Sequence, residues 1–214
     1  MKLDLIKYLI FDLDGTLIDS SAGVIEATNY ALEKMGQSKR SPDEIKKFIG
    51  FPLDIMFPAF CSAPVKQLKE AFQEKGRGLI VDKSVALDGV DAFLPKLAAA
   101  GYRMAVATTK FKHHTRGALE KFGWDKYFIA TASGDEVANV KPAPDLIELA
   151  LQRLGADPSK SVMIGDTVND IKAARQAGLA VIAVRSPFGA DDLASYNPDF
   201  LIDKLTDLAE LLNM

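Results

Sequence analysis

The chain has 214 residues, of which 48% are hydrophobic and 26% charged, a balance typical of folded globular proteins that excludes disordered, collagen-like and coiled-coil classes. Its 26 Lys and Arg against 29 Asp and Glu leave a formal charge of −3, without the basic excess expected of a nucleic-acid binder. Cys61 is the only cysteine, which excludes an internal disulfide and a cysteine-paired zinc site and points to a reduced cytoplasmic thiol.

At roughly 150 residues per domain, the length suits one domain carrying an insertion better than two equal domains. The first element in chain order is Tyr8–Phe11, an apolar run that reads as a buried strand. It is too short for a signal-peptide core or a membrane span, so a cytoplasmic protein without membrane association is expected. The run leads directly into Asp12-Leu13-Asp14-Gly15-Thr16. Two carboxylates two positions apart at a strand end project to the same side, and Gly15 permits a sharp turn after them. Acids placed so closely repel unless a cation lies between them or one keeps its proton.

Helical patterns follow at 23–35, 43–49, 53–60 and 64–75, separated by Ser41-Pro42, Gly50, Pro52 and Pro64. In the first of these, Val24, Ala27, Ala31, Leu32 and Met35 share one face. About 90 residues separate the first strand from the second, far more than one crossover requires. Residues 17–83 are therefore expected to form an inserted helical cap, with 1–16 and 84–214 making an α/β core. Residues 20–82 hold nine Lys and Arg against eight Asp and Glu. That faintly positive balance fits a lid over an anionic ligand and fits a solvated helical surface equally well.

Past the insertion, 91–100 reads as a helix with Phe93, Leu94 and Leu97 on one face, weakened by Pro95 unless that residue lies in the opening turn. A strand at 104–108 ends in Thr108-Thr109-Lys110, where hydroxyls and backbone N–H groups can meet a phosphate oxygen with Lys110 adding charge. Hydroxyls at a strand end are more usually plain caps, so this signal is weak by itself. His113 and His114 lack a third ligand at helical spacing and mark the start of a covering helix rather than a metal site. Trp124 is expected to pack.

A strand at 128–131 is followed by Val140-Lys141-Pro142-Ala143-Pro144-Asp145, in which two prolines stiffen the approach to a helix starting near Asp145. The strand at 162–164 runs into Gly165-Asp166-Thr167, a second acidic strand end. A helix starting near Asp166 would put Asp170 on the same face as a supporting acid. Ala180–Val184 reads as a further strand and 205–212 as a closing helix. Continuous apolar strands alternating with helices predict a parallel sheet covered on both faces. An oxygen-only ligand set from two such strand ends suits Mg²⁺.

Taken together, the stretches around Asp12-Leu13-Asp14-Gly15-Thr16, Thr108-Thr109-Lys110, Lys141 and Gly165-Asp166-Thr167 resemble, in order and spacing, the haloacid dehalogenase superfamily, specifically its phosphatase branch with a helical cap after the first motif. The resemblance implies a three-layer Rossmann-like core and a Mg²⁺-dependent phosphatase hydrolysing a small phosphorylated metabolite, with phosphoglycolate one possible substrate. It implies Asp12 as nucleophile, Asp14 as general acid and base, Thr108 and Lys141 as catalytic partners, and Asp12, Asp14, Asp166 and Asp170 around the metal. Thr16, Thr109, Lys110 and Gly50 would contact substrate, Gly50 within a 48–53 loop that resembles the family's specificity loop. Lys46, Lys47 and Arg40 stand near that loop as candidate anion contacts, although solvation on a helix face is the better reading of each. An aspartate at Asp14 argues against dehalogenation, and Thr16, where related sugar phosphomutases often have valine, favours hydrolysis over that alternative. A non-catalytic interaction protein would not need to keep both acids, Lys141 and Asp166. The oligomeric state is not encoded in these motifs.

Overall fold

The computed structural model describes residues 3–186, 188 and 192–214. From the N-terminus, β1 (Tyr8–Phe11) is followed by the two-residue β2 (Ile18–Asp19), then by four consecutive helices: α1 (Ser21–Lys34), α2 (Pro42–Lys46), α3 (Leu53–Phe60) and α4 (Val65–Lys83). The chain returns through β3 (Val85–Ala86) into the alternation α5 (Val90–Ala99), β4 (Arg103–Thr108), α6 (Lys112–Phe122), β5 (Phe128–Ser133), α7 (Asp145–Leu154), β6 (Ser161–Gly165), α8 (Val168–Gln176) and β7 (Ala180–Val184). It closes with β8 (Phe200–Ile202) and α9 (Leu208–Leu211).

Six strands form one sheet in the order β5-β4-β1-β6-β7-β8, and every pairing within it is parallel. Because β1 pairs with β4 on one side and β6 on the other, the segments leaving these three strands emerge side by side at the carboxyl edge of the sheet. Ligands bind at that edge in open α/β sheets. Alternation along β1 sends Leu9 and Phe11 into one apolar layer with Val90, Leu94, Trp124 and Leu208, and Ile10 into the other with Ile147, Leu151 and Ile171. The sheet is thus buried on both faces, the three-layer α/β architecture expected of its apolar strands.

Residues 21–83 build a separate apolar cluster from Ala27, Leu32, Ile45, Phe57, Leu68 and Phe72. The chain enters this helical unit through β2 and leaves it through β3, and these two strands pair antiparallel, Ile18 opposite Ala86. Entry and exit therefore meet at one point beside β1. A side chain at Gly23 would bring a Cβ within 2.6 Å of the Ile80 backbone, so the absence of one lets α1 and α4 touch. Among the described residues no helix is long and apolar enough to cross a membrane.

Several boundaries differ from the sequence pattern for local reasons. The pattern stops a helix at 75 because Gly76 and Gly78 follow, yet α4 runs to Lys83. Leu68, Ala71, Phe72, Gly76 and Ile80 of α4 are all buried, so tertiary packing carries the helix through the low helix propensity of the glycines. The α2 helix, started by a Ser41–Glu44 capping box, ends at Lys46 rather than at 49. The closing segment is a 3₁₀ turn at Leu205–Asp207 followed by the short α9, and β8 has no counterpart among the expected strands. Pro95 lies inside α5 beyond its opening turn, and the helix continues through it.

Candidate active site

The turn after β1 fixes the first acid. The Asp12 N–H donates to Ile164 O at 2.9 Å, extending the β1–β6 ladder by one residue and holding Asp12 beside the end of β6. Gly15 then adopts φ +84° and donates its N–H to Ile18 O at 2.8 Å. A Cβ there would lie 2.0 Å from Asp166 Oδ2, so this position must lack a side chain for both conformational and steric reasons. The turn also delivers Thr16, whose hydroxyl donates to Asp166 Oδ1 at 3.0 Å.

Asp166 and Asp170 come from the link between β6 and α8. The helix starts at Val168 with Thr167 as its N-cap, so Asp166 lies before the helix and not on its first turn as its spacing from Asp170 suggests. Asp170 occupies the third helical position and closes a capping box: its Oδ2 accepts from Thr167 N–H at 3.0 Å and from the Thr167 hydroxyl at 2.7 Å. Gly165 gives Asp170 its room, since a Cβ there would lie 2.4 Å from the carboxyl carbon. That requirement carried no sequence signal beyond the glycine itself.

Lys141 is fully buried and reaches between the acids. Its ammonium donates to Asp170 Oδ1 at 2.6 Å and to Ala107 O at 3.0 Å, and forms an ion pair with Asp12 Oδ1 at 2.8 Å. Apart from this ion pair, Asp12 Oδ1 is a buried carboxylate oxygen without a hydrogen-bond partner. Ligand oxygens of Asp12, Asp166 and Asp170 all lie within 4.8 Å of one another. Burial pushes the Asp12 carboxyl up to about 7, against the pull of Lys141 and with a further push from Asp170. Asp166 is raised by burial and by the charges of Asp12 and Asp170. For Lys141, burial disfavours the charged form, but the two neighbouring carboxylates outweigh it and hold the ammonium protonated.

Asp14 departs from the metal set expected for it. Its carboxylate turns to Lys110, whose ammonium lies 3.0 Å from Oδ1 and 2.8 Å from Oδ2, and Oδ1 also accepts from the Ser20 hydroxyl. Its side chain is not in the acidic trio. The reason is that Lys110 follows β4 directly beside β1, so the cation expected to face a phosphate is held by Asp14. Ser20 and Ser186 are polar partners of this site that the motifs did not flag; Ser186 bonds Asp166 and favours its charged form.

Thr108 is buried at the end of β4, its hydroxyl accepting from Lys110 N–H at 3.2 Å. Thr109 donates to Gly50 O at 3.0 Å, tying the loop after α2 to the β4 end. Gly50 itself holds φ +89° and sits 3.2 Å, by its missing Cβ, from Thr167 Cγ2. The 48–53 loop thus lies against both strand ends and lines a cavity of about 260 Å³ with Asp14, Thr109 and Lys110. Lys46, Lys47 and Arg40 do not line it; the Arg40 guanidinium bonds Phe60 O and pairs with Glu44.

His114 is buried at the start of α6, as a covering-helix residue should be, with Nε2 3.1 Å from Gly76 O on α4. Burial, with Lys110 and His113 nearby, lowers its pKa to about 3. Trp124 packs in the core and donates from Nε1 to Asp91 at 2.8 Å.

A family model described as haloacid dehalogenase-like hydrolase matches residues 9–184. A pyrophosphatase PpaX from Bacillus velezensis is 32% identical over 95% of this chain and 94% of its own. A phosphoglycolate phosphatase from Vibrio parahaemolyticus is 30% identical over 97% and 96%. Among solved structures, a haloacid dehalogenase-like family hydrolase from Streptococcus pneumoniae superposes with a TM-score of 0.88 at 25% identity, over 96% of this chain and 98% of that one.

Proposed function

This chain belongs to the haloacid dehalogenase-like hydrolase family, and we propose that it is a cytoplasmic, Mg²⁺-dependent phosphatase that cleaves a small phosphate monoester through an aspartyl-phosphate on Asp12. Two relatives carry the names pyrophosphatase and phosphoglycolate phosphatase, which supports phosphoryl chemistry at this site. The observation that carries the proposal is the buried Asp12 Oδ1, unpartnered by any hydrogen bond yet 2.8 Å from the Lys141 ammonium and grouped with two further acids.

The donor set fits a hard divalent cation. It is all oxygen, its charges are crowded, and burial with mutual repulsion raises two of its members. Asp12 and Asp166 are the residues that would hold Mg²⁺, while Asp170, with both oxygens engaged by Lys141 and Thr167, supports them from behind. When bound, Mg²⁺ would offset negative charge on the phosphoryl oxygens.

A carboxylate oxygen of Asp12 attacks phosphorus as the bond to the leaving alcohol breaks, dividing one difficult displacement into two steps. Lys141 keeps Asp12 oriented and adds positive charge beside the developing phosphoryl charge, while the Thr108 hydroxyl and neighbouring N–H groups receive the phosphoryl oxygens. Asp14, at the cavity wall beside Lys110, takes up a proton and passes it to the leaving oxygen, then takes one from the water that hydrolyses the intermediate. Residues 17–83 serve as a cap whose 48–53 loop and Thr109–Gly50 hydrogen bond shut the reacting centre from bulk water.

The test is phosphate release from a panel of monoesters with and without Mg²⁺. We expect Mg²⁺-stimulated turnover that Asp12→Asn abolishes while the fold persists; turnover that is indifferent to Mg²⁺ or survives in Asp12→Asn would overturn the proposal.

A further inference from the structure

The cavity under the 48–53 loop lies on the Asp14 side of the reacting centre: Asp14, Thr109 and Lys110 line it, whereas Asp12, Asp166 and Lys141 do not. If Asp12 attacks phosphorus and Asp14 protonates the departing oxygen, whatever that oxygen carries must enter this cavity. Apolar side chains make up most of the remaining lining, Phe48, Phe51, Leu53, Met56, Phe72 and Ile80 among them, with Asp54, Lys69 and His114 as further polar members.

The charged lining residues are Asp14, Asp54, Lys69 and Lys110, and their formal charges cancel. Each cation is already engaged. Lys110 is bound by Asp14, and the Lys69 ammonium lies 2.6 Å from Asp54 Oδ2. A second phosphate or a carboxylate in this space would give up part of its hydration and have to compete with Asp14 and Asp54 for the two lysines, which is costly beside the aromatic and aliphatic walls. An aromatic or branched alkyl group would instead exchange water for ring and aliphatic surface, at about 25 cal/mol per Å² of apolar area removed from water. Size permits this: an apolar cavity of about 150 Å³ accommodates benzene, and this one measures about 260 Å³.

From these features we infer that the enzyme takes the monophosphate ester of an apolar, uncharged alcohol, with the hydrocarbon part seated between the 48–53 loop, α3 and α4. The inference rests on the phosphatase assignment above, and it separates this chain from the anionic leaving groups that its relatives' names imply.

Benzyl phosphate, ethyl phosphate and 2-phosphoglycolate test it, because all three place a CH₂–O–P linkage before a phenyl, a methyl or a carboxylate. With Mg²⁺ we expect kcat/KM for benzyl phosphate to exceed that for 2-phosphoglycolate by roughly tenfold or more, the scale of burying one large apolar group. Phe51→Ser should shrink that ratio about tenfold by opening the apolar wall. Equal or faster hydrolysis of 2-phosphoglycolate would overturn the inference and leave the phosphatase assignment standing. Titration calorimetry with benzylphosphonate and phosphonoacetate, which carry the same groups on an uncleavable C–P bond, decides the matter even in protein that turns over none of the esters. Tighter binding of benzylphosphonate upholds the apolar site, and equal or weaker binding sinks it.

Discussion

Replacing Lys141 by methionine tests the buried charge arrangement most severely. The side chain keeps most of its volume while the ammonium that faces Asp12 at 2.8 Å, Asp170 at 2.6 Å and Ala107 O at 3.0 Å is lost. Removing one partner of a buried ion pair costs about 3–5 kcal/mol, because the remaining charge is left uncompensated. Here two carboxylates share the cation, so the upper part of that range is expected at pH 8 in metal-free protein. The pH dependence has a definite sign. Asp12 sits at about 7 in the folded protein against an ordinary 3.8, so folding already favours its protonated form, and stability falls as pH rises from about 4 to about 7. Without Lys141 the Asp12 carboxyl rises further, and the decline extends to higher pH. At about 1.36 kcal/mol per pKa unit, the deficit of Lys141→Met relative to the parent should be at least about 1 kcal/mol larger at pH 8 than at pH 5. Urea denaturation in EDTA at both pH values measures this directly. A loss below about 1 kcal/mol at pH 8, or a deficit that is larger at pH 5, would refute the reasoning.

Further expectations concern the elements around the site. His114 is held near 3 against an ordinary 6.5, so its neutral form stabilises the fold above pH 6.5 and that contribution drains away as pH falls. His114→Gln should therefore remove about 2 kcal/mol of the difference in unfolding free energy between pH 7 and pH 5, and an unchanged difference would contradict it. Gly15→Ala, which drives a Cβ against Asp166, should weaken Mg²⁺ binding in calorimetry by roughly tenfold or more and cost about 1–3 kcal/mol of stability. Gly36→Ala, at φ +66° with open space around it, should cost about 1 kcal/mol and leave Mg²⁺ binding intact; equal effects at both glycines would disprove the steric argument.

The core was legible because its signals are local. An apolar run ending in Asp12 and Asp14, and another ending in Asp166, announce strands whose ends carry chemistry, and the 90-residue gap between the first two strands announces an insertion. Pairings between distant segments were not legible. Asp14 and Lys110 are 96 residues apart, and nothing in either motif says that they face each other rather than a ligand. Glycines mislead in the same way: Gly76 reads as a helix breaker, yet it lies buried within α4 and its carbonyl meets His114. The start of α8 moved past Asp166 because the Thr167 capping box, a stronger local preference, fixes the first turn and turns Asp170 inward to Lys141. The cavity's apolar character was scattered over the 48–53 loop, α3 and α4, where each residue alone reads as ordinary helical core.

Identifying the residue that carries phosphate during turnover tests the central claim most directly. Acid quenching during Mg²⁺-supported hydrolysis, followed by borohydride reduction, converts an acyl phosphate to the corresponding alcohol, which peptide mass spectrometry locates. Homoserine at position 12 is the predicted result; steady-state turnover with Asp12 unmodified and the reduced residue elsewhere would contradict it.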